Sequence, residues 1–502
     1  MELFPSVIVI DVSSTNLACL SPQILNDVAT ADFVAVDQEL SGLGNTAGRG
    51  RLQMPEYYSK MRDAVLTRRT ISLGISCFKS VAEYVKPYPE CCDPLQFACT
   101  TYNILLFPGG EFDMDGSARS FLVAHGFDLN RWAQYGIEYG MKENNERFVD
   151  ELTTVLLLSK AEVVFHNGLA DLAYFYHSFW NPLPKTCEIF AADVADVFQG
   201  RLFDTKWICR SVLKWRMHSL EYCFKKAQRL NAASADIGKP ALRIRHVHPS
   251  TINAVMEIPI FYQNTQSGNL GGVKPIVGKD VCELMYNFGF CNAFKQGTCL
   301  HPADLHQMDL VLDVEEDVCR NGPAENAVSR PPNDVQRMFP VFPMSDPREM
   351  TTTVNDVATA GKRKTDAVTL ESVPLKKASE GSLFPHALRP RLAPPRPADN
   401  FPVAQRLGTD HFSIDNRKSY NLDFGLHSAG FDAFMTGYVF ATCMAQLGRS
   451  EKARRVVFTH PEGFVDRVHV TGKSEPFVFR KSEHVQCSAA HFRKILECRN
   501  RQ

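Results

Sequence analysis

Short apolar runs alternate with amphipathic helical patterns in the first half of this chain, and this alternation restricts its fold more than any other feature. Strand-like runs are predicted at 33–36, 71–77, 102–107 and 163–165, and helical patterns at 120–124, 146–159 and 169–179. Strands that alternate with helices pack as helical layers on a sheet. The sequence therefore predicts a layered α/β domain over residues 1–278.

The composition changes in the second half of the 502-residue chain. From about residue 321 to about 406, Pro, Ser, Thr, Ala and Arg dominate and apolar periodicity disappears, so this stretch cannot bury enough surface to offset its ordering entropy. We predict a disordered linker over residues 311–405. A helical pattern at 432–447 predicts that the folded domain resumes over residues 406–502.

Charge and apolar content exclude several classes of protein. The formal net charge is −1, so no global field favours a polyanion and any such site must be local. No run approaches the roughly 20 apolar residues of a membrane span, and the first residues lack the pattern of a signal peptide. The fifteen cysteines are then expected to stay reduced or to bind metal, which indicates an intracellular protein without a membrane partner.

The segment VAVDQELSG places two acids on one face of a predicted strand. Asp37 and Glu39 are two residues apart, so their side chains project together, as oxygen ligands of a hard divalent cation would. A solvated strand end gives the same pattern. A second pair, Asp313 and Glu315, also follows an apolar run, and the local pattern alone does not choose between the pairs.

Two later segments favour the first pair. Asp171 opens a predicted helix after the turn in FHNGLAD, and His427 stands five residues before Asp432 at the start of another helix. Each aspartate alone fits a helix cap equally well. Together with Asp37 and Glu39, however, they supply the four carboxylates that a two-metal phosphoryl-transfer site requires, whereas the Asp313 pair fits this order poorly.

Six blocks of the sequence resemble the PARN-type deadenylases of the DEDD exonuclease superfamily, in the order of that family. The blocks are FVAVDQELSG, YNILLFP, FLVAHGFDLNRWAQYGIEYG, VVFHNGLADLAYFY, LFDTKWI and HSAGFDAFMTGYVF. The resemblance implies a ribonuclease H-like exonuclease fold, with a mixed sheet flanked by helices. It also implies that two Mg²⁺ ions are bound by Asp37, Glu39, Asp171 and Asp432, and that His427 is the general base of the histidine subclass.

The same resemblance implies an activity and a location. The chain would be a 3′-to-5′ exoribonuclease that removes adenosines from single-stranded RNA 3′ ends, including poly(A), oligo(A) and small nuclear RNA tails, and releases 5′-AMP. The expected location is the nucleus, in Cajal bodies or nuclear speckles. Two alternatives remain: a non-catalytic RNA-binding adaptor on a nuclease-like scaffold, and a DNA exonuclease.

A cysteine-rich stretch predicts a small zinc finger of the Cys₃His type over residues 279–310. Its thiolates and one imidazole provide the ligands of a tetrahedral structural Zn²⁺ site. The predicted ligands are Cys282, Cys291, Cys299 and His306, with His301 as the alternative histidine. The first spacing matches such fingers and the two later ones are longer than usual, so a degenerate finger stays an alternative. Phe288 and Phe290 are candidates either for base stacking or for the core of the finger.

Two basic clusters lie in the predicted linker. Lys362–Arg363–Lys364 and Lys376–Lys377 are spaced like a bipartite nuclear import signal, which would bind a nuclear import receptor; solvated linker charge is the plainer reading. If Asp171 and Asp432 share one site, the finger and the linker are an insertion within the nuclease. Loop-closure entropy rises slowly with length, so such an insertion is tolerable.

Overall fold

The computed structural model of the chain describes residues 6–81, 96–140, 146–236, 242–247, 255–259, 281–295, 297–321, 428–447 and 463–500. These residues all belong to one compact unit, which is assembled from residues 1–330 and 419–502. The unit therefore contains both the N-terminal and the C-terminal parts of the chain.

The strands and helices are as follows. The strands are Ser6–Val12 (β1), Phe33–Leu40 (β2), Thr70–Ser80 (β3), Gln96–Pro108 (β4), Ile137–Tyr139 (β5), Glu162–Phe165 (β6), Leu202–Asp204 (β7), Arg243–His246 (β8), Val255–Pro259 (β9), Arg467–Val468 (β10) and Phe477–Val478 (β11). The α-helices are Leu17–Thr30 (α1), Met54–Thr67 (α2), Gly116–Ala124 (α3), Leu129–Tyr135 (α4), Glu146–Leu158 (α5), Leu169–Phe175 (α6), Cys187–Phe198 (α7), Thr205–Trp207 (α8), Leu220–Asp236 (α9), Glu283–Phe288 (α10), Asn292–Lys295 (α11), Met308–Asn321 (α12), Ala429–Leu447 (α13) and Ala489–Asn500 (α14).

A mixed sheet forms the centre of this unit. Among the described strands its order is β7-β6-β2-β3-β4-β1-β9, and β5 and β8 also pair with β4. Strand β3 runs antiparallel to both of its neighbours, β2 and β4, whereas β6 and β7 run parallel to β2 and β1 runs parallel to β4. The predicted α/β class, a mixed sheet flanked by helices, is confirmed.

The two faces of the sheet carry separate apolar cores. Strand β2 shows why, because its residues alternate between the faces. Val34 and Val36 join a buried cluster with α1, α2 and α5–α7, whereas Phe33 and Ala35 join a second cluster with α9, α12 and α13. Asp37 and Glu39 continue the second series, so the strand directs them to the face that α13 covers.

Helix α13 lies very close to β3, and two glycines allow this approach. A Cβ atom on Gly74 would stand 1.8 Å from the carbonyl oxygen of Ala429, at the first turn of α13. A Cβ atom on Gly437 would stand 2.1 Å from the ring of Phe78. Any larger residue at either position would have to move the helix, and Asp432 with it.

The start of the predicted linker is wrong. Residues 308–321 form the amphipathic helix α12, and Val311, Leu312 and Val314 are buried in the same cluster as α9 and α13. The sequence prediction drew the boundary at the acidic run and so overlooked its apolar face. The basic clusters of the predicted import signal lie outside the described residues. Among the described helices, none has the length and apolar character needed to span a bilayer.

Candidate active site and the Cys–His cluster

Two of the predicted acids lie on strand β2, near the end of its pairing with β3. Asp37 stands opposite Gly74, and Glu39 stands opposite Ser72, just before a register irregularity between Glu39 and Leu40. Position 74 has no side chain, so the space in front of Asp37 is open to the first turn of α13. The register between β2 and β3 thus leaves room beside Asp37 for the first turn of α13.

Asp432 reaches this space from the other end of the chain. It lies in the first turn of α13, whose start is fixed by Asn103 on β4. The Oδ1 atom of Asn103 accepts hydrogen bonds from the Gly430 amide at 3.3 Å and from the Ser72 hydroxyl at 3.1 Å, and its Nδ2 atom donates to Asp11. A half-buried amide on the sheet therefore anchors the helix start that carries Asp432.

Asp37, Glu39 and Asp432 converge. One carboxylate oxygen from each lies within 4.8 Å of the other two. Roughly four hundred residues of sequence separate the first two acids from the third, so only the folded chain brings them together. Oxygen ligands gathered at this separation suit a hard divalent cation.

Asp171 stands beside this group of three without belonging to it. It lies in the first turn of α6, and the loop before α6 is held by the buried Asp204. The carboxylate of Asp204 accepts hydrogen bonds from the backbone amides of Asn167 at 3.0 Å and Gly168 at 3.1 Å, and from that of His469 at 2.9 Å. Asp204 thereby joins the turn before Asp171 to the C-terminal segment.

Burial and the charges of neighbouring acids raise the pKa of three of these four carboxyl groups. Burial, followed by the charges of Asp432, Asp171 and Glu39, raises the pKa of Asp37 well above its ordinary value. Burial and the charges of Asp432 and Asp171 do the same to the pKa of Glu39. Burial, with a contribution from Asp204, raises the pKa of Asp171 to about 7. Crowded carboxylates of this kind require a compensating cation or protons, and this observation makes the donor set fit Mg²⁺.

The rival acidic pair has a different environment. Glu315 on α12 accepts a 2.6 Å hydrogen bond from Tyr222 and forms an ion pair with Lys226, both on α9. Asp313 forms an ion pair with Arg229 at 2.7 Å. Cations of the protein already neutralise these carboxylates, so the pair joins two helices and does not resemble an open metal site. The predicted general base, His427, lies outside the described residues.

The four predicted zinc ligands also converge. Ligand atoms of Cys282, Cys291, Cys299 and His306 all lie within 4.8 Å of one another. The alternative, His301, lies 3.7 Å from the Cys299 sulfur through its Nδ1 atom, and it is not part of this group of four. The structure therefore brings together the set that contains His306.

The ring of His306 is oriented as a metal ligand would be. Its Nδ1 atom is 2.9 Å from the carbonyl oxygen of Pro302, and its Nε2 atom is buried and has no hydrogen-bond partner among the described residues. A metal-binding histidine commonly donates one ring N–H to a carbonyl and binds with the other nitrogen. In addition, the Phe294 amide donates a 3.3 Å hydrogen bond to the Cys291 sulfur. The donor set fits a tetrahedral Zn²⁺ ion.

This cysteine segment, residues 281–306, packs directly on the α/β unit. The guanidinium of Arg216 lies 3.9 Å from the ring centroid of Tyr286 and donates a hydrogen bond to the Tyr286 carbonyl. Val281, which precedes the first cysteine, belongs to the buried cluster of α9 and α13. Phe288 and Phe290 are 60% and 50% exposed, so they are not the core of the segment.

Sequence analysis missed three polar residues that position the site. They are Asn103, Asp204 and Gln38, all of which make their hydrogen bonds to distant segments. Asp204 had a readable local signal, since an aspartate before a short helix is a common N-cap and its side chain accepts from the Lys206 and Trp207 amides. Asn103 and Gln38 had none, because their partners lie far away in the sequence.

A mixed sheet with acids from β2 and α13 gathered at one place, and a further acid on α6 beside them, offers the ligands of a metal-dependent nuclease. The chain belongs to the CAF1 ribonuclease family, because the family model described as CAF1 family ribonuclease matches residues 12–155 and 142–440. The predicted PARN-like resemblance and the predicted fold agree with this assignment.

Two curated proteins are similar to part of the chain. Poly(A)-specific ribonuclease PNLDC1 of Mus musculus is 33% identical over 143 residues, which are 27% of this chain and 26% of that protein. Poly(A)-specific ribonuclease PARN of Danio rerio is 27% identical over 138 residues, which are 26% of this chain and 20% of that protein. The similarity thus spans about a quarter or less of each of these relatives.

Solved structures of similar chains include two Pop2 proteins. The Mg²⁺- and Mn²⁺-bound form of S. pombe Pop2p is 21% identical, with a TM-score of 0.34 over 44% of this chain and 82% of that chain. The RNase domain of the yeast Pop2 protein is 18% identical, with a TM-score of 0.33 over 44% and 75% of the two chains.

Proposed function

We propose that this protein is a divalent-metal-dependent 3′-to-5′ exoribonuclease that shortens single-stranded RNA tails. The observation that carries the proposal is the convergence of Asp37, Glu39 and Asp432 within 4.8 Å, with Asp171 beside them. Membership of the CAF1 ribonuclease family supports the same chemistry. An RNA-binding adaptor would have no use for three mutually repelling carboxylates at one place.

The acids would hold two Mg²⁺ ions, which supply an activated water and neutralise charge on the scissile phosphate when bound. Asp37 and Glu39 act as a fixed pair on β2, and Asp432 and Asp171 approach them from two helices. His427 is proposed to accept the proton of the attacking water, for which the ordinary pKa of histidine is suitable. The products would be a nucleoside 5′-monophosphate and an RNA shortened by one nucleotide.

The finer parts of the proposal concern substrate and location. We propose a preference for adenosine, because the two curated relatives are both described as poly(A)-specific ribonucleases. Small nuclear RNA tails and residence in Cajal bodies or nuclear speckles are proposed from the resemblance to the PARN-type deadenylases alone. Binding of the basic clusters by a nuclear import receptor is proposed from their spacing alone. The Cys–His cluster is proposed to bind one structural Zn²⁺.

A digestion experiment tests the activity. The full-length protein is incubated with a 5′-labelled RNA that ends in oligo(A), with Mg²⁺ or with EDTA. The wild type is expected to produce a ladder of single-nucleotide steps with Mg²⁺ alone, and Asp37→Asn is expected to be inactive. Asp313→Asn is the matched control, because it alters the rival acidic pair and is expected to stay active.

The outcomes separate the candidate functions. Equal inertness of all variants with Mg²⁺, together with retained RNA binding, would favour the adaptor. Equal degradation of RNA and DNA oligomers of matched sequence would favour a less selective nuclease, since contacts to the 2′-hydroxyl distinguish the two substrates. Release of 5′-AMP faster than other nucleotides from mixed tails would support the adenosine preference.

A further inference from the structure

Gln38 occupies the position between the two acids of β2 and faces the opposite side of the sheet. Alternation along the strand directs Asp37 and Glu39 to one face and Gln38 to the other. The Gln38 side chain is 6% exposed, so its amide must find partners inside the protein. Both of its polar atoms do find partners.

The two hydrogen bonds of Gln38 join different elements of the site. Its Nε2 atom donates a 2.7 Å hydrogen bond to the backbone carbonyl of Asp171, in the first turn of α6. Its Oε1 atom accepts a 2.8 Å hydrogen bond from the hydroxyl of Thr70, at the start of β3. Thr70 is itself fully buried, and its carbonyl accepts a 2.7 Å hydrogen bond from Tyr139. The Gln38 amide is therefore held at both ends.

Through Gln38, the structure connects Asp171 to the pair formed by Asp37 and Glu39. Asp37 and Glu39 are the chain neighbours of Gln38, and Asp171 is the residue whose backbone Gln38 holds. A shift of α6 relative to β2 would change the separation between Asp171 and the β2 pair, and the 2.7 Å hydrogen bond opposes that shift. Neither polar atom of Gln38 makes a described contact with a carboxylate of the site.

We propose that Gln38 is a positioning residue that fixes Asp171 relative to Asp37 and Glu39 and thereby sets the affinity of the site for divalent cations. This inference rests on the proposed function, because it assumes that these acids bind the cations. Partners that orient metal ligands without touching the metal commonly change metal affinity or activity 10- to 100-fold when they are replaced.

The test compares three variants of the full-length, zinc-loaded protein. Gln38→Met keeps the length of the side chain and removes both hydrogen bonds. Thr70→Val keeps the branched shape and removes the donor to Gln38, together with a 3.5 Å contact to the Ser178 hydroxyl. Gln228→Met is the matched control, since Gln228 is a buried glutamine on α9 that makes no described hydrogen bond to the acids.

Mn²⁺ is the probe, and its binding is followed by electron paramagnetic resonance, independently of RNA cleavage. We expect Gln38→Met to weaken Mn²⁺ binding about tenfold, Thr70→Val two- to threefold, and Gln228→Met less than twofold. With oligo(A) RNA, kcat of Gln38→Met is expected to fall while KM stays within twofold of the wild type, because Gln38 lies on the face of the sheet opposite Asp37 and Glu39.

An Mn²⁺ affinity of Gln38→Met within twofold of the wild type would overturn the inference, even if the variant melted at a lower temperature. If Gln38→Met fails to fold, an unchanged Mn²⁺ affinity of Thr70→Val overturns it instead. A wild type that binds no Mn²⁺ would refute the proposed function as well. A wild type that binds Mn²⁺ but cleaves no RNA would refute the proposed function alone.

Discussion

Replacing Asp171 by asparagine is expected to stabilise the metal-free protein at pH 8, although it removes a proposed metal ligand. Burial raises the pKa of Asp171 to about 7, so between about pH 4 and pH 7 the folded protein holds a proton that the unfolded chain has released. The stability that this group contributes is therefore present at low pH and lost as the pH rises through 7. Asparagine mimics the protonated acid at every pH.

The size of the effect follows from the pKa difference. A change from the ordinary 3.8 to about 7 corresponds to about 4 kcal/mol, at about 1.36 kcal/mol per pKa unit. For a cooperative unit of roughly 300 residues, with an unfolding entropy of about 2.1 cal/mol/K per residue, this is an increase in Tm of about 6 °C. At pH 4.5 the two proteins are expected to melt within about 2 °C of each other.

Thermal unfolding in EDTA at pH 4.5, 6 and 8 measures this difference. Asp128→Asn is the control, because Asp128 is an exposed N-cap of α4 and asparagine caps a helix equally well. Addition of Mg²⁺ is expected to narrow the difference at pH 8. An ion present at a hundred times its Kd stabilises the wild type by about 2.7 kcal/mol, and the variant loses most of this gain.

Two results would refute the reasoning. An Asp171→Asn protein that melts at or below the wild-type temperature in EDTA at pH 8 would mean that burial does not hold a proton on Asp171. A stabilisation that is equal at pH 4.5 and pH 8 would mean that the effect does not come from the charge of Asp171.

Three further changes test other parts of the structure. Gly74→Ala is expected to lower the RNA cleavage rate at least a hundredfold in the labelled-RNA assay, because the added Cβ atom displaces the start of α13 and hence Asp432. Gly116→Ala is the control, because its added Cβ atom enters open space and should leave the rate unchanged. Glu315→Gln is expected to lower stability by 1–3 kcal/mol in denaturant titrations, because it breaks the α9–α12 ion pair, and to leave Mn²⁺ affinity unchanged. Cys291→Ser is expected to abolish the one zinc equivalent measured by elemental analysis and to lower Tm; retention of that zinc would contradict the Cys–His assignment.

The local patterns of the sequence were enough to predict the elements that carry the acids. Apolar alternation predicted β2, β3, β4 and β6, and helical spacing predicted α5, α6 and α13, because each of these signals lies within a few neighbouring residues. The order of Asp-x-Glu, helix-start Asp and His-x₄-Asp indicated one shared site, and three of these acids do converge. Such motifs can be read from the sequence because their chemistry needs particular residue types.

The tertiary structure decided what local patterns leave open. Asp37–Glu39 and Asp313–Glu315 have the same local pattern, and only packing shows that Arg229 and Lys226 neutralise the second pair. His301 and His306 are likewise both near Cys299 in sequence, yet only His306 joins the other ligands. The boundary of α12 was missed because its acidic residues dominate the pattern and their cationic partners lie on another helix.

Gln38 shows the physical reason why some features can be predicted from the sequence and others depend on the tertiary structure. The residue types and the strand period determine that it points away from Asp37 and Glu39, and this much can be read from the sequence. That its amide meets the Asp171 carbonyl depends on how α6 packs over the end of the sheet, which is the sum of many weak contacts between distant segments. Sequence by itself determined which chemical groups are available, and folding alone decided which of them meet.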